Sequence, residues 1–134
     1  MKKAILSVLI ALFFALAGCS NESPNAVELT VDFSWEGMVS CIKGGNPEIR
    51  INGIPADTKV LEVKSTVSTY TQGSQELTYD GSGIIKKGAL DKIMSPCPAG
   101  SGERGLFKFK IKAVHENGSV IGSGVGERYF PEEE

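Results

Sequence analysis

Phe107-Lys108-Phe109-Lys110-Ile111-Lys112-Ala113, followed by Glu116-Asn117-Gly118-Ser119, decides how this chain folds. Apolar side chains recur at every second position with a lysine between each pair. That is the alternation of a strand with one face buried and the other in water. Asn-Gly after such a run is a strong hairpin signal, because a tight turn needs left-handed backbone that these residues accept. Residues 119–122 then read as the return strand. The same period runs upstream. Val27, Leu29, Val31 and Phe33 alternate with Glu28, Thr30 and Asp32, which predicts one strand over 27–33. Leu61, Val63, Ser65 and Val67 alternate with Val60, Glu62, Lys64 and Thr66. Residues 48–51 and 75–79 are shorter candidates. Only 89–95 offers a helical turn, and Pro96 stops it. Sixteen glycines and six prolines punctuate the chain, with no internal repeat and no linker to a second domain. The reading is mainly β: a single-domain antiparallel β-sandwich with few short helical turns.

The first residues follow another logic. Lys2 and Lys3 precede an apolar run over 4–17, and Leu16-Ala17-Gly18-Cys19 closes it. This is the layout of an export signal, and Leu-Ala-Gly-Cys resembles the lipobox of bacterial lipoproteins. The resemblance implies a diacylglycerol on the Cys19 thiol, removal of residues 1–18, and acylation of the new amino group, with palmitate as the expected chain. The apolar run is shorter than the roughly 20 residues a bilayer requires, whereas two or more acyl chains hold a protein on a membrane stably. Residues 19–25 read as a polar tether, 26–131 as the β domain, and Glu132, Glu133 and Glu134 as an acidic tail. By the same resemblance, Ser20 after the cysteine favours the outer membrane, with the domain facing the periplasm.

Of 134 residues, removing 18 leaves 116, enough for one domain with a modest core. The signal takes Lys2 and Lys3 from 14 basic residues, leaving 12 against 16 acidic, a net charge of −4. Nucleic acid as a partner is disfavoured, because it calls for a basic patch or stripe. With Cys19 acylated, Cys41 and Cys97 remain, and an even pair in an oxidising compartment reads as a disulfide. Closing that loop is worth about 4 kcal/mol. A redox dithiol or a metal site lacks support: there is no Cys-x-x-Cys and a single histidine, His115. No cofactor is expected. No Gly-x-Ser-x-Gly, metal cluster or Ser/His/Asp arrangement is visible, so the chain is read as no enzyme. His115 reads as a solvated turn residue and Trp35 as core or pocket-lid packing. Lys108, Lys110 and Lys112 read as a solvated outer face that also discourages edge pairing, in preference to a contact with anionic lipid headgroups.

Several segments resemble the phosphatidylethanolamine-binding protein (PEBP) family. Asn46-Pro47-Glu48-Ile49 and Gly53-Ile54-Pro55-Ala56-Asp57-Thr58-Lys59-Val60-Leu61 are similar to its Ser-Pro-Pro-Leu and Gly-Val-Pro-x-Gly-Thr-Lys-Ser-Leu. Pro96-Cys97-Pro98-Ala99-Gly100 resembles its Gly-Pro-Cys-Pro-Pro-x-Gly loop, and the strand from Phe107 its Tyr-x-Phe-x-Leu-x-Ala-Leu. A bacterial lipoprotein branch is closer, through Phe33-Ser34-Trp35-Glu36-Gly37, Cys41 and Tyr79-Asp80-Gly81-Ser82-Gly83-Ile84-Ile85-Lys86-Lys87-Gly88-Ala89. The resemblance implies a compact β-sandwich with a shallow anion-binding pocket near one end.

Where the family builds that pocket, this chain departs from it. Counting without gaps, the family's Asp-Pro-Asp falls on Val67, Ser68 and Thr69, its first histidine and glycine on Gln72 and Gly73, and its second histidine on Gly105, with the tyrosine at Phe107. Arg104 lies one residue away. The candidate ligand-binding set is Ser68, Thr69, Gln72, Gly73, Pro96, Pro98, Arg104, Gly105 and Phe107, with the amides of a Gly-rich loop over 99–105. Such a set holds a phosphate less firmly than imidazoles do. The expected function is a lipid-anchored, extracytoplasmic, non-enzymatic PEBP-like protein that binds a small polar or anionic, headgroup-like ligand weakly. The alternative is an interaction or scaffold lipoprotein with a vestigial pocket and a protein partner.

Overall fold

A computed structural model describes residues 22–38, 45–68, 70–93 and 105–131. The alternation around Phe109 lies in β7 (Gly105–His115), which pairs with β4 (Thr58–Val67) on one side and β8 (Val120–Phe130) on the other. Adding β5 (Tyr70–Thr78) beside β4 and β1 (Glu22–Glu28) beside β8 gives a five-stranded sheet, ordered β1-β8-β7-β4-β5. A second sheet, ordered β2-β3-β6, is built from β2 (Thr30–Phe33), β3 (Ile49–Asn52) and β6 (Ile84–Ile85). All pairs are antiparallel except β1 with β8.

The period-two pattern decides which face each sheet buries. Across β4 and β7, Leu61 lies opposite Ala113, Val63 opposite Ile111, Ser65 opposite Phe109 and Val67 opposite Phe107. These residues face Phe33, Trp35, Ile49, Ile51 and Ile85, and together they form the core. The aromatic rings pack edge to face, Phe33 on Phe109 at 4.9 Å and Trp35 on Phe107 at 5.3 Å, each such pair adding about 0.5–1.5 kcal/mol beyond its burial. Trp35 is thus a core residue. The Asn117-Gly118 hairpin forms as predicted, with Gly118 at φ +87° and Asn117 Oδ1 accepting from the Ser119 amide at 2.9 Å.

Four expectations need correction. The stretch over 27–33 is not one strand: it divides at Leu29, whose amide bonds to Ser123 O at 2.8 Å before the chain passes to the second sheet. The crossing requires Gly124 and Gly126 on β8. A β-carbon on Gly126 would lie 2.7 Å from Val31 O, and one on Gly124 would overlap Leu29 O. The tether does not extend to Asn25, because residues from Glu22 onward form β1; their side chains stay largely in water while the backbone borders β8. The lysine row does not guard an edge, since β7 is an interior strand. His115 is more than a solvated turn residue: it is half-buried, with Nε2 3.7 Å from Asp57 Oδ2 and Nδ1 accepting from the Asn117 amide.

Over 89–95 the described part is a single turn, Ile93 N–H bonding to Leu90 O at 3.2 Å, and among the described residues there is no helix. This turn closes the β5 side. Gln75 accepts from the Lys92 amide at 3.0 Å and donates to Ala89 O at 3.4 Å. Buried Asn46 latches the preceding segment: its Oδ1 accepts from the Leu90 amide at 2.8 Å, and its Nδ2 donates to Lys86 O at 3.1 Å. Met94, Ser95 and Pro96 lie outside the described residues, as do the acidic tail and the three cysteines, Cys19, Cys41 and Cys97.

Candidate functional site

Five of the nine candidate residues, Ser68, Gln72, Gly73, Gly105 and Phe107, fall at one end of the five-stranded sheet. There β4 ends, β5 begins and β7 begins, with Val67 paired to both Tyr70 and Phe107. Thr69, Pro96, Pro98 and Arg104 lie outside the described residues. Ser68 turns the β4–β5 hairpin at φ 50°, a left-handed conformation unusual for a residue with a β-carbon. Its amide bonds to Leu106 O at 3.0 Å, which ties the hairpin tip to β7. A two-residue hairpin loop calls for such backbone, because it matches the twist of the strands it joins.

Gln72 sits in the bulge between the Ser65–Gly73 and Thr66–Thr71 pairs. Ser65, 1% exposed, donates through Oγ to Gln72 Oε1 at 2.9 Å. That bond fixes the orientation of the amide, and among the described residues its Nε2 has no hydrogen-bond partner. Gly73 admits the 89–93 turn, since a β-carbon there would lie 2.9 Å from Lys92 O. Gly105 is closed in: a β-carbon would meet Val67 Cγ2 at 3.0 Å and the Phe107 ring at 3.2 Å. Phe107, 2% exposed, is a core residue that packs against Trp35 and Phe130. The described part of this end offers neutral donors, at Ser68 and Gln72. Sequence matching missed Ser65, although its position as the polar residue in the inward stripe of Leu61, Val63 and Val67 was the available signal.

Two concavities lie elsewhere on the molecule, and they differ in their electrostatics. A groove of about 420 Å³ is bordered by Asp32, Glu48, Arg50, Lys87 and Arg128. Its cations are held in place: Arg128 reaches Asp32 at 3.3 Å, Arg50 reaches Glu48 at 2.8 Å, and Lys87 donates to Gly37 O at 3.0 Å, with Glu36 also on the border. A depression of about 710 Å³ on the outer face of the five-stranded sheet gathers Lys64, Lys92, Lys110 and Lys112 with Glu62 and Glu76. Among the described residues, no group of three or more His, Cys, Asp or Glu residues comes together to hold a metal ion.

No family model and no curated protein matches the chain. Among solved structures it is similar to a phosphatidylethanolamine-binding protein homolog from Chlamydia trachomatis, with a TM-score of 0.54 and 12% identity over 81% of this chain and 99% of that one. That likeness is one of fold: a single-domain, mainly β sandwich of the PEBP-like type.

Proposed function

We propose that this chain is a lipid-anchored extracytoplasmic binding protein without enzymatic activity. Its PEBP-like sandwich would take up a small polar or anionic group weakly at the end of the five-stranded sheet that carries Ser68, Gln72 and Gly105. One observation supports the reading: the buried Ser65 hydroxyl fixes Gln72 by its oxygen and orients its amide as a donor. A neutral hydrogen bond contributes about 0.5–1.5 kcal/mol, against about 1.5–3 for a charged one. The altered site therefore favours weak binding over firm capture of a phosphate.

Thermal-shift titration with inorganic phosphate, phosphoethanolamine and glycerol tests this. A shift of about a degree or less with one of them, lost in Gln72→Ala and reduced in Ser65→Ala, is the expected result. A rise of several degrees with phosphoethanolamine would restore the strong headgroup site of the family and count against an altered pocket. No shift with any compound would leave the scaffold reading, in which the sandwich presents a surface to a protein partner.

A further inference from the structure

We propose that the outer face of the five-stranded sheet docks onto an anionic phospholipid bilayer through Lys64, Lys92, Lys110 and Lys112. The register places Lys64 directly opposite Lys110, with Lys112 two residues further along β7, opposite Glu62. Like charges set opposite each other across a strand pair are destabilising, and nothing in the core requires them there, because both point away from it. Lys92 reaches the same depression from the turn that closes β5. Among the described residues none of the four has a carboxylate within ion-pair distance, whereas neighbouring Lys108 has Glu127 at 3.6 Å. Glu62 and Glu76 face each other one step along the sheet, so the depression holds four ammonium groups against two carboxylates. This positive field runs against the net charge of −4 on the mature chain, 12 basic residues against 16 acidic.

Two exposed β8 side chains on the same face, on either side of the Glu127 that pairs with Lys108, suit a membrane boundary. Val125, opposite Lys110, is 50% exposed, and Tyr129, opposite the half-buried Leu106, is 48% exposed. Apolar and amphipathic side chains beside lysines are the composition that settles at headgroup level. The anchor reading supplies proximity. From Cys19 to Glu22 the chain spans at most about 11 Å, so an acylated Cys19 would hold the β1 edge of this sheet close to the bilayer. An acyl anchor and a basic patch are the two signals that together give stable attachment.

Lysine footprinting tests the docking. The full chain is reconstituted in phosphatidylcholine vesicles, with and without phosphatidylglycerol, and amine labelling of each lysine is followed by mass spectrometry. A basic residue at an anionic leaflet is worth about a fivefold change in partitioning. Labelling of Lys64, Lys92, Lys110 and Lys112 should therefore slow about fivefold or more in the anionic vesicles, with Lys86 and Lys87 unchanged. The protection should vanish in about 1 M salt, where the screening length is about 3 Å. In the Lys64→Thr, Lys110→Thr variant, Lys92 and Lys112 should label alike in both vesicles. Equal labelling of the parent chain in both vesicles overturns the docking while leaving the anchor standing. A chain that associates with neither overturns both. Equal protection by inorganic phosphate without vesicles would make the depression a small-anion site and overturn membrane docking.

Discussion

Asp80 shows how one exposed side chain shapes acid behaviour. Its Oδ1 accepts from the Ser82 hydroxyl at 2.6 Å and from the Ser82 amide at 2.9 Å. These two bonds, the hydroxyl first, hold the carboxyl below the ordinary aspartate value. A carboxyl depressed in the folded state contributes stability above its unfolded pKa of about 4, and that contribution is lost as pH falls through the folded pKa. Asp80→Asn should therefore flatten the stability profile below about pH 4 and leave it parallel to the parent near pH 7. Chemical denaturation at a series of pH values checks this; an unchanged acid limb would remove Asp80 from the account. The same loop requires Gly83, at φ +69°, where a β-carbon would lie 2.8 Å from Ile51 O.

At the scale of elements, β7 and its hairpin were legible because burial, period and turn chemistry all agree at Phe107, Phe109, Ile111 and Asn117-Gly118. Less was legible where the backbone alone decides. Residues 70–74 belong to β5 although Thr71, Gln72, Gly73 and Ser74 carry no apolar alternation. The length of β8 was hidden by Gly122, Gly124 and Gly126, which read as strand breakers yet admit Leu29 and Val31 from the crossing chain. The candidate site was legible only as positions: matching located Gln72 and Gly105, whereas the Ser65 bond depends on a bulge that no spacing reveals. Gly124→Ala should cost about 3 kcal/mol, the upper end of overpacking, because the obstacle is backbone oxygen. Gly118→Ala, in open space at φ +87°, should cost about 1 kcal/mol. Urea unfolding of the two variants measures the difference, and equal losses would refute the crossing argument. Asn46→Ala removes the partners of the Leu90 amide and Lys86 O. It should cost about 2–4 kcal/mol, read from the same transitions.

For the whole molecule, the anchor reading makes Cys19→Ser decisive. The variant should lose acylation and persist as an uncleaved precursor or a soluble species; a mature-sized, acylated form in the membrane fraction would show that Cys19 is not the lipidated residue. The parallel pairing of β1 with β8 has a mechanical consequence. Glu22 lies beside Val120, and β8 then runs away from that end to Phe130. A load applied between Glu22 and Phe130 therefore pulls the two strands past each other lengthwise. The contacts from Glu22–Val120 to Glu28–Ser123 share that load, instead of parting one after another as they would under a peeling force. Drawing Gly105 away from Phe130, the pair at the open end of the β7–β8 hairpin, would instead unzip those strands one pair at a time. The sandwich thus resists force best along the line joining the start of β1 to the far end of β8.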